Sequence, residues 1–330
     1  MATKKEAYLC LSAMLRAREG KLLNEEKAQR MLDAASFAEA AKLIVDCGYE
    51  DMSSMNSSEI NDALNAHRSA ILYELDGLVP EEGIVELFRM KYDYHNAKTV
   101  VKSEAMGQEP ERLLSDTGRM KPAALLEAYQ EEHYSVFPGE LGIAMAEAKA
   151  VLARTGNPQL ADTRLDQAYF NELSRGAEKL NNAFLADYVR ILIDSVNLKI
   201  AVRTLRVGRS SDAMAEVLIR GGSVDCDRII SAGDGESIAA LFGHGKLEKA
   251  AALVSEVIKG GSLTAFELEC DNAVNAYLKG AKLMSYGMEC VVAYVAAVET
   301  EITAVRMILN GFLDGIAPNR TKERLRELYA

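Results

Sequence analysis

Apolar and polar positions alternate with a helical period along most of the chain, and most clearly between Phe88 and Gly107. On a wheel of about 100° per residue, one stripe of this segment is apolar and consists of Met90, Tyr94, Ala97, Val101 and Ala105. One margin of the stripe carries the cations Lys91, Lys98 and Lys102, and the other side carries Tyr92, Asp93 and Asn96. The pattern predicts an amphipathic helix with a cationic flank and an acid/amide flank, capped at its end by Gly107.

The closing half of this segment occurs three times. The sequences VVKSEAMG, AVRTLRVG and AVRMILNG end at Gly107, Gly208 and Gly311, at spacings of 101 and 103 residues. A second marker, an Asp with an Ala one or two residues later, recurs at spacings of 104 and 105 residues, at Asp62, Asp166 and Asp271. A third marker, a Gly with an apolar residue two positions later and a pair of aliphatic residues five and six positions after that, begins at Gly118 and again at Gly222. Unrelated markers that keep one period indicate repeated domains, which we place at residues 1–111, 112–213 and 214–330.

The second copy keeps the polar pattern of the first, with Lys199 and Arg203 on one margin of the helix and Asp194 and Asn197 on the other. The third copy keeps Arg306 and Gly311 but replaces the other polar positions, which become Ala297, Thr300 and Ile302. Two acids of the third copy, Glu299 and Glu301, lie one residue out of register with that pattern.

The remaining segments also predict helices. The sequence ThrGlyAsnPro at 155–158 ends one helix, AsnAsn at 181–182 predicts a bend in the next, and ValProGluGlu at 79–82 predicts the start of the first motif helix. Alternation of the β type bounded by hairpin turns does not occur. The predicted fold is all-α, with three similar helical bundles in a pseudo-threefold arrangement.

The sequence lacks the usual motifs of catalytic, cofactor-binding and metal-binding sites. GlyHisGlyLysLeu, at 243–247, lacks the first glycine and the hydroxyl of a phosphate-binding loop. The four histidines are scattered, and the five cysteines show neither paired spacing nor a Cys-x2-Cys motif. His133 lies beside Glu131 and Glu132, but a solvated helix end explains this group better than a metal site does. We therefore predict no catalytic, cofactor-binding or metal-binding residue.

Composition narrows the choice of partners. A net charge of −11 disfavours nucleic acid and makes a basic protein surface the more plausible partner, although general solubility explains the charge equally well. The longest apolar run, Cys290–Val298, has nine residues, against about 20 for a bilayer-spanning helix. The beginning of the sequence contains no apolar signal segment. We expect no bilayer span, and membrane association only through a partner.

The sequence LysTyrAspTyrHisAsnAlaLys at 91–98, its copy AspSerValAsnLeuLys at 194–199 and the triplicated helical pattern resemble the C subunit of bacterial and archaeal V-type (A-type) ATPases, a relative of the eukaryotic d subunit. The resemblance covers essentially the whole chain, and its motif is structural rather than catalytic. It implies a funnel, present once per complex, on the cytoplasmic face of the membrane proteolipid ring. The funnel would receive the central shaft, made of the D and F subunits, and couple ring rotation to shaft rotation without catalysis.

Two interpretations of the repeated polar residues remain open. Either they contact a partner, or they bond to loops and helices of a neighbouring repeat, which we favour because half-buried polar groups need partners. The candidate residues are Tyr92, Asp93, Asn96, Lys98, Lys102, Asp194, Asn197, Lys199, Arg203 and Arg306. Two other functions are alternatives to the rotary ATPase subunit. The first is a soluble helical adaptor outside any rotary ATPase, and the second is a helical enzyme.

Overall fold

The structure is a computed structural model that describes residues 5–330, and this range contains helices and no strand, as expected for an all-α protein. The α-helices, in chain order, are α1 Leu9–Glu19, α2 Glu25–Leu32, α3 Phe37–Lys42, α4 Ser57–Asp76, α5 Ile84–Met106, α6 Pro122–Gln130, α7 Leu141–Thr155, α8 Pro158–Leu180, α9 Ala183–Arg206, α10 Ser211–Ala215, α11 Cys226–Ala232, α12 Gly235–Phe242, α13 Glu248–Ile258, α14 Leu263–Lys279, α15 Met288–Leu313 and α16 Pro318–Lys322. Short 3-10 helices lie at Glu6–Tyr8, Val45–Cys47, Glu111–Leu113, Tyr134–Val136 and Gly280–Leu283.

The chain divides into two compact units. The α15 unit contains the chain up to Pro80 together with Ala201–Gly208 and Ala232–Ala330, and the α5 unit contains Glu81–Ile200 and Arg209–Ser231. Helix α9 contributes residues to both units. The predicted division into three repeats of about a hundred residues, and their pseudo-threefold arrangement, stay predictions.

Helix α15 is the centre of its unit. It packs against α1, α2, α3, α4, α14 and α16. Every residue from Cys290 to Val298 is buried, which explains why this stretch is apolar on all sides instead of along one stripe. The nine-residue apolar run is therefore the interior of a helical bundle. None of the helices described here is long and apolar enough to cross a membrane.

Helices α5, α7 and α8 pack against one another in the α5 unit. The side chain of Leu87 on α5 packs against Gly176 on α8, where an added Cβ would overlap it. Helix α8 begins at Pro158 after the cap Asn157, and Asn181, with a φ of 48°, separates it from α9. The predicted helix stop at 155–158 and the predicted bend at 181–182 are both confirmed.

The start of the first motif helix differs from the prediction. Residues 79–82 precede the helix, which begins at Ile84. Gly83 has a φ of 93°, a left-handed conformation that the helix cannot continue through. The glycine therefore sets the boundary that the proline and acids at 80–82 were expected to set.

Candidate functional site: the polar flanks of the motif helices

Asp93 on α5 binds the loop that follows its own helix. Its carboxylate is fully buried. Oδ1 accepts hydrogen bonds from the backbone N–H groups of Arg119 at 2.8 Å and Met120 at 3.2 Å, and Oδ2 accepts one from Nε of Arg119 at 2.6 Å. The carboxylate of Asp93 thus binds two consecutive peptide N–H groups and the guanidinium of Arg119.

Asn96, one turn further along α5, binds the same loop as a peptide group would. Its Nδ2 donates to the carbonyl of Ser115 at 2.9 Å, and its Oδ1 accepts from the N–H of Ser115 at 2.7 Å. Both Asn96 and Ser115 are buried. Because a buried backbone donor and acceptor need partners, Asn96 supplies what a neighbouring strand would supply in a sheet.

The second copy repeats this arrangement. The amide of Asn197 donates to the carbonyl of Ile219 at 2.7 Å and accepts from its N–H at 2.8 Å. Oδ1 of Asp194 accepts from the N–H of Val224 at 3.2 Å, and Ser223 also donates to this carboxylate. Each Asp–Asn pair therefore holds a loop that comes after its motif helix, the one before α6 in the first copy and the one between α10 and α11 in the second.

The third sequence marker belongs to the same arrangement. Gly118 and Gly222 lie against Oδ1 of Asp93 and Asp194 respectively, so closely that an added Cβ would overlap the oxygen. The apolar residues two positions later, Met120 and Val224, provide N–H groups that donate to these oxygens. The repeated glycine and the repeated aspartate are two sides of one contact.

Asp93 in the first copy belongs to a buried cluster of charged side chains. Arg119 bridges Asp93 and Glu172, with 2.7 Å between its Nη1 and Oε1 of Glu172, and the hydroxyl of Tyr94 donates to Oε2 of Glu172 at 2.8 Å. Burial raises the pKa of Asp93, and the hydrogen bonds and charge of Arg119 oppose that rise. Burial also raises the pKa of Asp194, where the hydrogen bonds from Ser223 and Val224 oppose it.

The cationic flank of α5 pairs with α8. Lys98 forms an ion pair with Asp166, which is one of the repeated Asp markers. Nζ of Lys102, one turn later, lies 2.5 Å from Oδ2 of Asp162. The pairs are partly exposed, so each contributes at most about 1 kcal/mol to stability.

The later copies form related pairs within the α15 unit. Nη2 of Arg203 lies 2.5 Å from Oε1 of Glu267 on α14, one turn before the marker Asp271. Nε of Arg306 on α15 donates to Oδ1 of Asn61 on α4 at 2.8 Å, beside the marker Asp62. In every copy, a cation of the motif helix bonds to a helix that carries one of the recurring Asp residues of the second sequence marker.

Glu301 is a polar residue whose role the repeat pattern did not predict. Its side chain is buried, accepts from the hydroxyl of Tyr49 at 2.7 Å and also accepts from the N–H of Leu23. Burial raises its pKa, opposed by these two hydrogen bonds. The neighbouring acid, Glu299, pairs with Arg68 at 2.9 Å. The available signal in the sequence was the position of Glu299 and Glu301, one residue out of register with the repeated polar pattern.

Arg119 and Glu172 were not predicted either, since neither belongs to a repeated marker. Of the predicted residues, the structure brings together Asp93, Asn96, Lys98 and Lys102 on one helix, and each of them bonds to another part of the chain. Tyr92 is buried with the Lys91 ammonium 5.6 Å from its ring centre, and Lys199 is half-buried. Within residues 5–330, no three His, Cys, Asp or Glu side chains are grouped so as to hold a metal ion.

Known proteins are similar in sequence to this chain over nearly its whole length. The C subunit of the V-type sodium ATPase of Enterococcus hirae is 23% identical over 325 residues, covering 98% of this chain and 99% of that protein. The C subunit of the A-type ATP synthase of Methanocaldococcus jannaschii is 23% identical over 347 residues, covering 97% and 86%. The C subunit of the V-type ATP synthase of Thermus thermophilus is 25% identical over 222 residues, covering 65% and 68%. Residues 11–324 match the family described as ATP synthase (C/AC39) subunit, and the chain belongs to that family.

Proposed function

We propose that this chain is the central-stalk subunit of a rotary V/A-type ATPase and acts as a non-catalytic socket. It joins the proteolipid rotor ring of the membrane sector to the central shaft, which is made of the D and F subunits. One copy lies on the cytoplasmic face of the membrane and passes torque between ring and shaft during ATP synthesis or hydrolysis. Family membership supports this role, as do relatives that are named as the C subunit of V-type and A-type enzymes.

The mechanical part of the proposal rests on the contacts that the repeated polar residues make. Asp93, Asn96, Asp194 and Asn197 bond inward to loops, and Lys98, Arg203 and Arg306 bond to adjacent helices. A body that transmits load needs internal joints that do not slide, and a bidentate amide or carboxylate bond fixes the register of the two segments that it joins.

A deletion strain tests the coupling role. Membranes that lack the chain should retain ATP hydrolysis by the catalytic head but lose ATP-driven ion transport, because the shaft no longer turns the ring. Restoring the chain on a plasmid should restore transport, measured with a pH- or sodium-sensitive dye in inverted vesicles. The proposal is wrong if transport per ATP hydrolysed is the same with and without the chain.

Purification of the tagged chain tests the assignment of partners. From detergent-solubilised membranes, the tag should retain the ring and the shaft together. A helical adaptor outside the rotary ATPase, the alternative that composition alone allows, would be retained with neither.

A further inference from the structure

The turn between α14 and α15, in the α15 unit, carries the most exposed large apolar side chain of residues 5–330. Leu283, the last residue of the 3-10 helix Gly280–Leu283, is 91% exposed. A single exposed leucine is ordinary on a protein surface, so its exposure alone assigns it no role. A side chain this exposed does, however, contact little of its own chain, and it therefore projects from a convex point of the surface.

The backbone of this turn is held by side chains of α1. Nη2 of Arg16 donates to the carbonyl of Ala281 and, at 2.8 Å, to that of Met284, so one nitrogen binds both sides of the turn. The N–H of Met284 donates to the carbonyl of Ala281 at 2.9 Å. The N–H of Gly287 donates to the hydroxyl of Ser12 at 3.1 Å. The side chain at the tip of the turn therefore extends from a backbone whose position is already fixed.

The charge beside the tip is positive. Residues 279–287 contain Lys279 and Lys282 and neither Asp nor Glu. Lys279 lies 3.2 Å from a carboxylate oxygen of Glu327, which offsets its charge. Lys282 is exposed, and its ammonium lies 4.8 Å from the centre of the Tyr329 ring. The turn thus presents an apolar tip next to a cation, in a chain whose net charge is −11.

We propose that Leu283 is an anchor that enters an apolar recess, bordered by acidic groups, on the proteolipid ring. A side chain on a backbone that is already ordered loses little conformational freedom on binding, so more of its burial energy appears as affinity. The neighbouring Lys282 favours an acidic border around the recess.

The convex shape of the tip selects the ring over the shaft. A socket holds the shaft in a concave surface, which a projecting side chain does not line. The ring meets an outer face of the socket, where a projecting side chain can enter a recess of the partner. The choice rests on the proposed function, which supplies these two partners.

A bilayer surface fits the turn less well than a protein recess. Even a myristoyl chain gives only marginal membrane binding, and one leucine buries far fewer carbon atoms. An anionic membrane would also repel a chain with a net charge of −11. Lys282 attracts such a membrane only locally.

The test measures binding of the full-length chain to the immobilised proteolipid ring, with the D–F shaft and vesicles of phosphatidylglycerol and phosphatidylcholine as comparison probes. The turn is changed by Leu283→Ser and by Lys282→Glu. The first control is Leu113→Ser, because Leu113 also ends a 3-10 helix and is 61% exposed. The second is Lys91→Glu, because Lys91 is also exposed, with its ammonium 5.6 Å from the centre of the Tyr92 ring. All four changes are at the surface and should leave the melting temperature unchanged.

Leu283→Ser should weaken binding to the ring about tenfold or more, the loss expected when a buried leucine is replaced by a polar residue. Leu283→Met, which keeps an apolar side chain of similar volume, should retain most of the binding. Lys282→Glu should weaken binding about fivefold at low salt and by less at high salt. Both controls should bind the ring as the wild type does, and none of the variants should change binding to the shaft.

The inference is overturned if Leu283→Ser and Leu113→Ser bind the ring alike, or if Leu283→Ser loses binding to the shaft or to vesicles instead of to the ring. It is also overturned if the wild-type chain binds the shaft but not the ring. A wild-type chain that binds neither the ring nor the shaft would contradict the proposed function itself.

Discussion

At the scale of single residues, the most restrictive contacts around the motif helices involve glycine. Gly118 and Gly222 have no positive φ, so they are not required by backbone conformation. They are required because the carboxylates of Asp93 and Asp194 occupy the space of a side chain. The recurrence of these glycines was readable from the sequence, but its cause depends on an oxygen that comes from the preceding motif helix.

Replacing Gly118 by Ala should lower the free energy of unfolding by about 1–3 kcal/mol, the range for overpacking a filled site. The added methyl would displace Asp93 from its bonds to Arg119 and Met120. Urea denaturation would measure the loss. Gly280→Ala is the control, because nothing lies within 4 Å of its added Cβ, and it should be neutral or slightly stabilising. Equal stability of the two variants would contradict the steric argument.

Glu301 makes stability depend on pH. Burial raises its folded pKa above the unfolded value of about 4.3. Its stabilising contribution is therefore complete below about pH 4.3 and is lost as pH rises through the folded pKa. Lys27, whose charge lowers the pKa, and Tyr49, which donates to the carboxylate, moderate the effect.

Glu301→Gln should flatten this part of the pH dependence, because the amide does not titrate. The variant should also be less stable overall at acidic pH, since one amide oxygen replaces two acceptors that serve Tyr49 and Leu23. Denaturation midpoints between pH 4 and pH 8 would show both effects. An unchanged slope in the variant would mean that Glu301 does not cause the pH dependence.

At the scale of elements, the asparagines join helices to loops. Asn96 and Asn197 each make two hydrogen bonds to one residue, and each therefore fixes where the following loop lies along the helix. The repeat predicted that these asparagines matter, and helix periodicity predicted that they share a flank with the aspartates. The identity of the bonded residues, Ser115 and Ile219, was not readable because the two loops differ in sequence and length.

Asn96→Ala should cost about 1–3 kcal/mol for each backbone group of Ser115 left unpaired. Because Ser115 is buried, water cannot replace the lost partner without local opening. Hydrogen exchange should show faster exchange of the Ser115 amide, with little change in α8. Asn171→Ala, at an exposed position of α8, is the matched control and should stay within about 0.5 kcal/mol of the wild type.

The charged contacts between elements differ in energy according to burial. The side chain of Arg119 is 13% exposed and bridges two largely buried acids, whereas that of Lys102 is 46% exposed. Arg119→Met should therefore cost about 3–5 kcal/mol, because Asp93 and Glu172 lose their counter-charge. Lys102→Met should cost at most about 1 kcal/mol. Chemical denaturation of both variants would measure this difference, and similar losses would contradict it.

At the scale of the whole molecule, the cationic contacts join residues that the sequence assigns to different predicted repeats. The first copy reaches the second through Lys98 and Asp166, the second reaches the third through Arg203 and Glu267, and the third returns to the first through Arg306 and Asn61. Glu301 and Tyr49 add a second contact between the third copy and the first. The division of the chain into three repeats itself stays a prediction.

The last residues of the chain are part of the α15 unit. Arg326 pairs with Asp271 at 2.8 Å, the N–H of Glu327 donates to Asn272 at 2.9 Å, and both Leu328 and Tyr329 are buried. Deleting residues 326–330 should cost about 4 kcal/mol from the two apolar side chains alone. Thermal denaturation would show the loss, and deleting only the exposed Ala330 should have no effect. A truncated chain as stable as the control would contradict this expectation.

The sequence by itself determined the helical class, the helix stop at 155–158, the break at 181–182 and the family, because helix periodicity, turn residues and recurring motifs are local features of a chain or can be found by comparing the chain with itself. Only the tertiary structure decided the partners of the polar groups. Glu301 binds the backbone of a residue 278 positions earlier, and Arg119 joins acids from two different helices. Such pairs depend on which surfaces packing brings together, and no spacing along the sequence encodes that.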